Sequence, residues 1–300
     1  MEPYWNVIEQ IVKESDIILE ILDARLADIS RNKKLEEIIK KYHRPNIIVL
    51  NKADLVSKED LDIALHRFSE ENENVICVSN KQKKTVRKLI LKIKQVFNKY
   101  GKRKEYKGAH IIKKPYREAR GDVIIGVVGY PNVGKSSIIN ALAFKKKAKV
   151  SSKAGTTHGV HWISATKEIK LIDTPGVIPL EYVDEAKLGL ISARGPEKTR
   201  DTETVALKII ELFMAKNETN RLEEFYNIKF ENSEISSSEI LNAIALQKKH
   251  LKKGGLPDET RTAIMIMRDW QNGKLKLWCI IAILKNLDYS VFSWKKILEK

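Results

Sequence analysis

The 300 residues carry 55 Lys and Arg against 39 Asp and Glu, a formal charge of +16, and 43% are apolar. That apolar share supports packed cores and excludes a disordered tail, while the charge asks for a polyanionic partner. Two cysteines, Cys77 and Cys279, in no ligand or redox spacing, exclude a disulfide framework and suit a reducing compartment. The length fits two domains at roughly 100–200 residues each. The N-terminus has no basic start followed by an apolar run, so no leader peptide is expected. The apolar run through Trp278 to Leu284 falls far short of the roughly 20 residues that span a bilayer. A soluble, cytoplasmic protein is expected.

Along the chain, short β-branched runs alternate with helical patterns. Asp16 to Leu22, Asn46 to Leu50, Val75 to Val78 and Val123 to Val128 read as buried parallel strands. Helical spacing is expected at 34–42, 58–71 and 83–100, and again from Ser137 to Leu142. Ile163 to Ala165 and Ile169 to Ile172 read as a hairpin. After Ala193-Arg194-Gly195-Pro196 helical periodicity dominates, through 202–215, 219–226, 236–252 and 258–271. The expected fold is α/β, a doubly wound, mostly parallel sheet over residues 1–193, followed by a smaller helical domain over 194–300.

The charge is concentrated. Between Lys81 and Arg120 sixteen basic residues face only Glu105 and Glu118, a local net of +14, and the rest of the chain is nearly neutral. Val86, Leu89, Ile90, Ile93, Val96, Phe97 and Tyr100 recur at helical steps, leaving Lys84, Arg87, Lys88, Lys92, Lys94 and Lys99 on the other face. Continued through 101–120, this reads as a footprint for a phosphate backbone rather than an ordinary solvated helix.

Gly129-Tyr130-Pro131-Asn132-Val133-Gly134-Lys135-Ser136 fits G-x-x-x-x-G-K-[ST], after an expected strand and before an expected helix. Its glycines let backbone N–H groups from Asn132 to Ser137 turn toward phosphates, Lys135 neutralises β/γ charge, and Ser136 is placed to ligate Mg²⁺. At ordinary glycine usage such a string arises by chance in about one chain in a hundred. Asn51-Lys52-Ala53-Asp54 ends the strand at Leu50, and a carboxylate at Asp54 can accept from guanine N1–H and the 2-amino group together. Adenine offers no such pair, so GTP is favoured over ATP. Ser79-Asn80-Lys81 suits the loop whose backbone amide meets guanine O6. Asp173-Thr174-Pro175-Gly176 follows the last strand, where Asp173 would hold Mg²⁺ through water and the Gly176 N–H would sense the γ-phosphate. Between them, Thr157, or less favourably Thr156, is a Mg²⁺ ligand candidate, and His158 and His161 are weaker catalytic candidates. The expected catalytic set is Lys135, Thr157 and Gly176.

The order of these motifs is unusual: both guanine-selecting loops precede the phosphate loop. With Asp23-Ala24-Arg25, Arg31-Asn32 and Pro179, the chain resembles the circularly permuted GTPases of the YlqF/RbgA type, assembly factors of the large ribosomal subunit. The tail from Gly254 to Leu275 is similar to that family's helical domain. The resemblance implies a GTPase of slow intrinsic rate, with GTP and GDP as substrate and product and Mg²⁺ bound. It further implies an rRNA partner on the large subunit, release on hydrolysis, and a monomer away from the particle. Asn132 stands where similar GTPases coordinate K⁺, and plain loop structure accounts for it equally well. Val177 occupies the place of the water-orienting glutamine of Ras-like proteins. A regulatory GTP-binding module acting on a protein or an anionic membrane, without RNA, is the competing expectation.

Overall fold

The computed structural model describes residues 2–104, 122–143, 161–173, 185–230 and 235–276. The chain divides into two compact units, residues 1–54 with 61–181, and residues 55–60 with 182–300.

The first unit is a six-stranded sheet of β1 (Ile17–Asp23), β2 (Asn46–Asn51), β3 (Val75–Val78), β4 (Val123–Val128), β5 (His161–Ser164) and β6 (Ile169–Asp173). Their spatial order is β3-β2-β1-β4-β6-β5. All neighbours are parallel except β5, which runs antiparallel to β6. Every residue of β1 and β4 is buried, which is why these strands read as continuous apolar runs without alternation. Glu20 interrupts β1: it is 1% exposed, and its carboxylate accepts from Asn46 Nδ2 at 2.9 Å. Burial, then the nearby Glu36, pushes its pKa up to about 7.

Helix α1 (Glu2–Glu14) was not expected from the sequence. Ile8 and Val12 of α1 pack with Ile18, Val128 and the inward residues Leu35 and Ile39 of α2 (Lys33–Lys41). Ile11 packs on Ile124 and Ile172. Each such aliphatic side chain contributes roughly 1.5–3 kcal/mol when fully buried. Asn32 caps α2, its Oδ1 accepting from the Leu35 N–H at 2.9 Å. Helix α3 (Lys58–Glu71) spans the expected residues, as does α4 (Lys83–Tyr100), which buries Val86, Leu89, Ile93 and Val96. Tyr100, placed on the apolar face by its spacing, is instead 49% exposed, and its hydroxyl donates to Glu73. The chain enters α5 (Lys135–Leu142) directly from the loop after β4.

The second unit holds α6 (Glu185–Leu190), α7 (Thr202–Met214), α8 (Thr219–Tyr226), α9 (Ser237–Gln247) and α10 (Glu259–Gln271). Helix α7 is its core, burying Val205, Ala206, Ile209, Ile210 and Phe213 against α6, α9 and α10. Trp270 is wholly buried, meets Phe213 edge to face, and donates its indole N–H to the Leu190 carbonyl at 2.8 Å. Helix α9 opens on a Ser236/Glu239 capping box and stops at Gln247, earlier than its apolar spacing suggests. Lys249 follows at φ +54°, and a turn through Gly254 and Gly255 returns the chain to Asp258, the cap of α10.

Candidate functional site

Strands β2 and β3 end side by side, with Asn51 opposite Val78, so the loops that follow them meet. The Asp54 carboxylate accepts from the Ser79 hydroxyl at 2.8 Å and the Lys81 ammonium at 2.8 Å. Partial burial pushes Asp54 up, but hydrogen bonds from Lys81 and Ser79 outweigh it and hold the carboxyl below its ordinary value. Ser79 is wholly buried, and its backbone N–H donates to the Thr85 hydroxyl on the first turn of α4 at 3.0 Å. Asn80 follows on the surface. Lys52 adopts a left-handed φ of +61°, and its ammonium donates to the Asp23 carboxylate at 2.7 Å. Asn51 is buried and donates its side-chain N–H to the Val133 carbonyl at 2.7 Å. Its Oδ1 is buried with no hydrogen-bond partner among the described residues, a polar cost that a bound molecule would relieve.

The phosphate-type loop is shaped by backbone conformation. Gly129 stands at φ +144°, where a side chain would strike the Ile21 carbonyl, and Asn132 at φ +59°. Gly134, at φ +102°, starts α5, and a Cβ there would overlap the Asn51 amide. The glycine is therefore needed both for its conformation and for the close approach of the guanine-type loop. Lys135 is 6% exposed and donates to the carbonyls of Gly129 and Tyr130, each at 2.8 Å. Burial drives the ammonium down to about 8, with the Asp173 carboxylate opposing. Asp173 closes β6 at 2% exposure, while Ser136 and Ser137 lie half-buried on the first turn of α5. Asn51 and Asp173 thus stand at the ends of β2 and β6, and Val133, Gly134 and Lys135 in the loop and first turn after β4, with Asn51 bonded to Val133. Thr156, Thr157, His158, Gly176, Val177 and Pro179 lie outside the described residues. His161 opens β5.

Two arrangements go beyond the motif reading. Asp23 and Arg25, which the sequence marks only as part of a signature, form a wholly buried pair, with Arg25 Nη2 2.8 Å and Nε 3.0 Å from the carboxylate. Asn32 Nδ2 donates to the hydroxyl of Tyr130, inside the phosphate-type loop, at 3.1 Å.

The basic block is less uniform in space than in sequence. Lys81 reaches Asp54, Lys99 reaches Glu73, Lys94 reaches Glu168, and Lys102 and Arg103 reach Asp16. Lys92 donates to the Glu73 carbonyl. Lys83, Lys84, Arg87 and Lys88 are exposed, with no carboxylate partner among the described residues. They crowd the first turns of α4, which has no acidic residue in its first turn, an arrangement that opposes the helix dipole. Residues 105–120 lie outside the described residues. Among the described residues no helix is long and apolar enough to cross a membrane.

Residues 124–236 match a family model described as 50S ribosome-binding GTPase. An uncharacterized GTP-binding protein of Methanocaldococcus jannaschii is 39% identical over 276 residues, covering 92% of this chain and 67% of that protein. Ribosome biogenesis GTPase A of Bacillus cereus is 30% identical over 277 residues, covering 89% of this chain and 86% of that protein. The crystal structure of GNP-bound YlqF from T. maritima superimposes with a TM-score of 0.56 at 20% identity, over 91% of this chain and 95% of that one. This last likeness is one of fold.

Proposed function

Because the chain belongs to the YlqF/RbgA family of circularly permuted GTPases, we propose that it binds and hydrolyses GTP as a switch in maturation of the large ribosomal subunit. The observation that carries this reading is the contact between the two loops: Asn51 holds the Val133 carbonyl while Gly134 leaves room for it. A base-selecting carboxylate and a phosphate-type loop thereby face a common ligand. In this reading Asp54 accepts from guanine N1–H and the 2-amino group, and the Ser79-Asn80-Lys81 loop meets O6. The backbone N–H groups from Asn132 to Ser137 and the Lys135 ammonium bind the phosphates.

Mg²⁺ would be held by Ser136, by Asp173 through water, and by Thr157. A hydroxyl and a buried carboxylate are hard oxygen donors that suit that ion. When bound it would supply positive charge to the β- and γ-phosphate oxygens. Lys135 adds its own charge as water attacks the γ-phosphorus, and the Gly176 N–H senses whether that phosphate is present. Asn132 is the residue that would hold a K⁺ ion if hydrolysis is stimulated by one.

The GTP form docks on rRNA through the cationic start of α4 and the helical unit, and hydrolysis releases it. The protein works in the cytoplasm, as a monomer away from the particle. Sedimentation with immature and mature large subunits tests this: retention is expected with a non-hydrolysable GTP analogue and loss with GDP. Equal retention with GTP, GDP and no nucleotide would overturn the switch. Binding to protein-free rRNA fragments should weaken with salt and on replacing Lys84, Arg87 and Lys88 together by Gln. Absence of binding to the protein-free fragments would favour a protein partner instead.

A further inference from the structure

The segment from Asp23 to Asn32 joins β1 to α2 and touches both loops of the candidate site. At its start the Asp23 carboxylate, wholly buried, accepts from the Arg25 guanidinium, the Arg25 backbone N–H and the Lys52 ammonium. At its end Asn32 caps α2 with Oδ1 and gives Nδ2 to the Tyr130 hydroxyl. Its interior is stiff. Ala24, Arg25, Leu26, Ala27, Ile29 and Ser30 are all buried. The Ser30 hydroxyl accepts from the Asp23 N–H and donates to the Ala27 carbonyl, so the loop closes on itself. Arg31 anchors the end nearest α2, gripping Glu36 with two nitrogens, reaching Glu71, and lying over the Phe68 ring.

We propose that this segment is a clamp that fixes the guanine loop and the phosphate loop at one spacing, with Asp23 and Asn32 as its positioning residues. Lys52 sits in a conformation disfavoured for a lysine, and its ion pair with Asp23 is what keeps it there. That conformation sets the direction in which Asn51 and Asp54 leave the strand on either side of it. Tyr130 is 2% exposed and lies between Gly129 and the rest of the phosphate loop, so a hydrogen bond at its hydroxyl holds the near side of that loop. Displacement at one end of a stiff, buried connector is passed to the other. The clamp rests on the guanine-nucleotide reading of the site.

Titration calorimetry with GDP and IDP tests it, because inosine lacks the 2-amino group that Asp54 would recognise. Tyr130→Phe removes only the hydroxyl, and Asn32→Ser keeps the α2 cap but is too short to reach Tyr130. Each is expected to lower the GDP-over-IDP preference about threefold, although neither touches the base side. Asp23→Asn is expected to lower it about tenfold, and the double variant with Tyr130→Phe by less than the product of the two. GDP-over-IDP preference unchanged in both Tyr130→Phe and Asn32→Ser would overturn the clamp, whether or not overall affinity falls. Those two variants decide the matter even if Asp23→Asn fails to fold. A wild-type protein that does not prefer GDP to ADP and IDP would instead overturn the guanine reading beneath it.

Discussion

The two ends of the candidate nucleotide site are held by different means. At the proposed guanine end, groups from separate loops and a helix satisfy one another: the Asp54 carboxylate with Ser79 and Lys81, Lys52 with Asp23, and the Ser79 backbone N–H with the Thr85 hydroxyl. At the phosphate end the work is done by backbone conformation, with Gly129, Asn132 and Gly134 all at positive φ and Lys135 folded onto carbonyls of its own loop. The first end pairs its carboxylates with cations before a ligand arrives, yet burial lowers the Lys52 ammonium and Asn51 Oδ1 stays without a partner among the described residues. The second keeps a buried ammonium whose pKa is pulled down to about 8, a mismatch that an anion would remove. Each end therefore keeps a polar cost that a ligand would relieve, Asn51 Oδ1 at the first and the Lys135 ammonium at the second. The two differ in how the rest is held, by side-chain pairs at the first and by backbone conformation at the second.

The largest test of this contrast is Lys135→Ala. GTP and GDP affinity should fall by about 100-fold or more, since a charge-assisted contact to phosphate is lost. Calorimetric melting of the nucleotide-free protein should change far less than that of the GDP-bound protein, because relief of the buried charge offsets the lost bonds to the Gly129 and Tyr130 carbonyls. Next comes Asp54→Asn, which should weaken GDP by about 30-fold, the cost of unpaired polar groups at a desolvated contact. Xanthosine diphosphate should gain over GDP in the same titration, and unchanged GDP affinity would break the assignment of that end.

A smaller effect concerns pH. Lys135 titrates near 8 in the folded protein against 10.5 as the ordinary value. Its penalty is therefore present in full below pH 8, and nucleotide-free stability should rise as pH climbs from 8 toward 10.5. Bound phosphate keeps the proton on, so GDP affinity should fall above pH 8, by at most about tenfold per pH unit. Lys135→Met should flatten the stability slope. The smallest effect belongs to the guanine end. Lys81 is 75% exposed and pairs with the Asp54 carboxylate that the proposed base contact would need, so Lys81→Met should raise GDP affinity about two- to threefold, less so at high salt.

Much of this was legible in the sequence because the signals are local. Strands β1 to β4 announce themselves as apolar runs, Asn51 to Asp54 fall at the end of β2, and Gly134-Lys135-Ser136 falls at the start of α5 after the loop that follows β4. Helix α1 carries a helical pattern too, Trp5, Ile8, Ile11 and Val12, which the expected elements omit. What could not be read are pairings between distant residues. Asp23 meets Lys52 across two strands, and Asn32 meets Tyr130 across 98 positions, so no spacing marks either. Likewise the +14 of residues 81–120 looked unbroken because Asp16, Asp54, Glu73 and Glu168 lie elsewhere in the chain, yet folding brings them to five of its cations. Among the described residues, the cations left without a carboxylate partner gather mainly at the start of α4, with Lys92 and Lys104 further along.

The strand order has a consequence for synthesis. The sheet grows from β1 to β2 to β3 in the order in which the chain leaves the ribosome, whereas the other side of β1 is paired only by β4. A nascent chain that has reached the end of α4 therefore has its base-selecting half assembled while the backbone of β1 still presents an open edge. Such edges template mispairing until they are covered. The phosphate-type loop is made later and arrives on the strand that covers this edge, so in vectorial folding the edge of β1 is sealed and the two loops are brought together in one step, leaving β6, with Asp173 at its end, to cover β4.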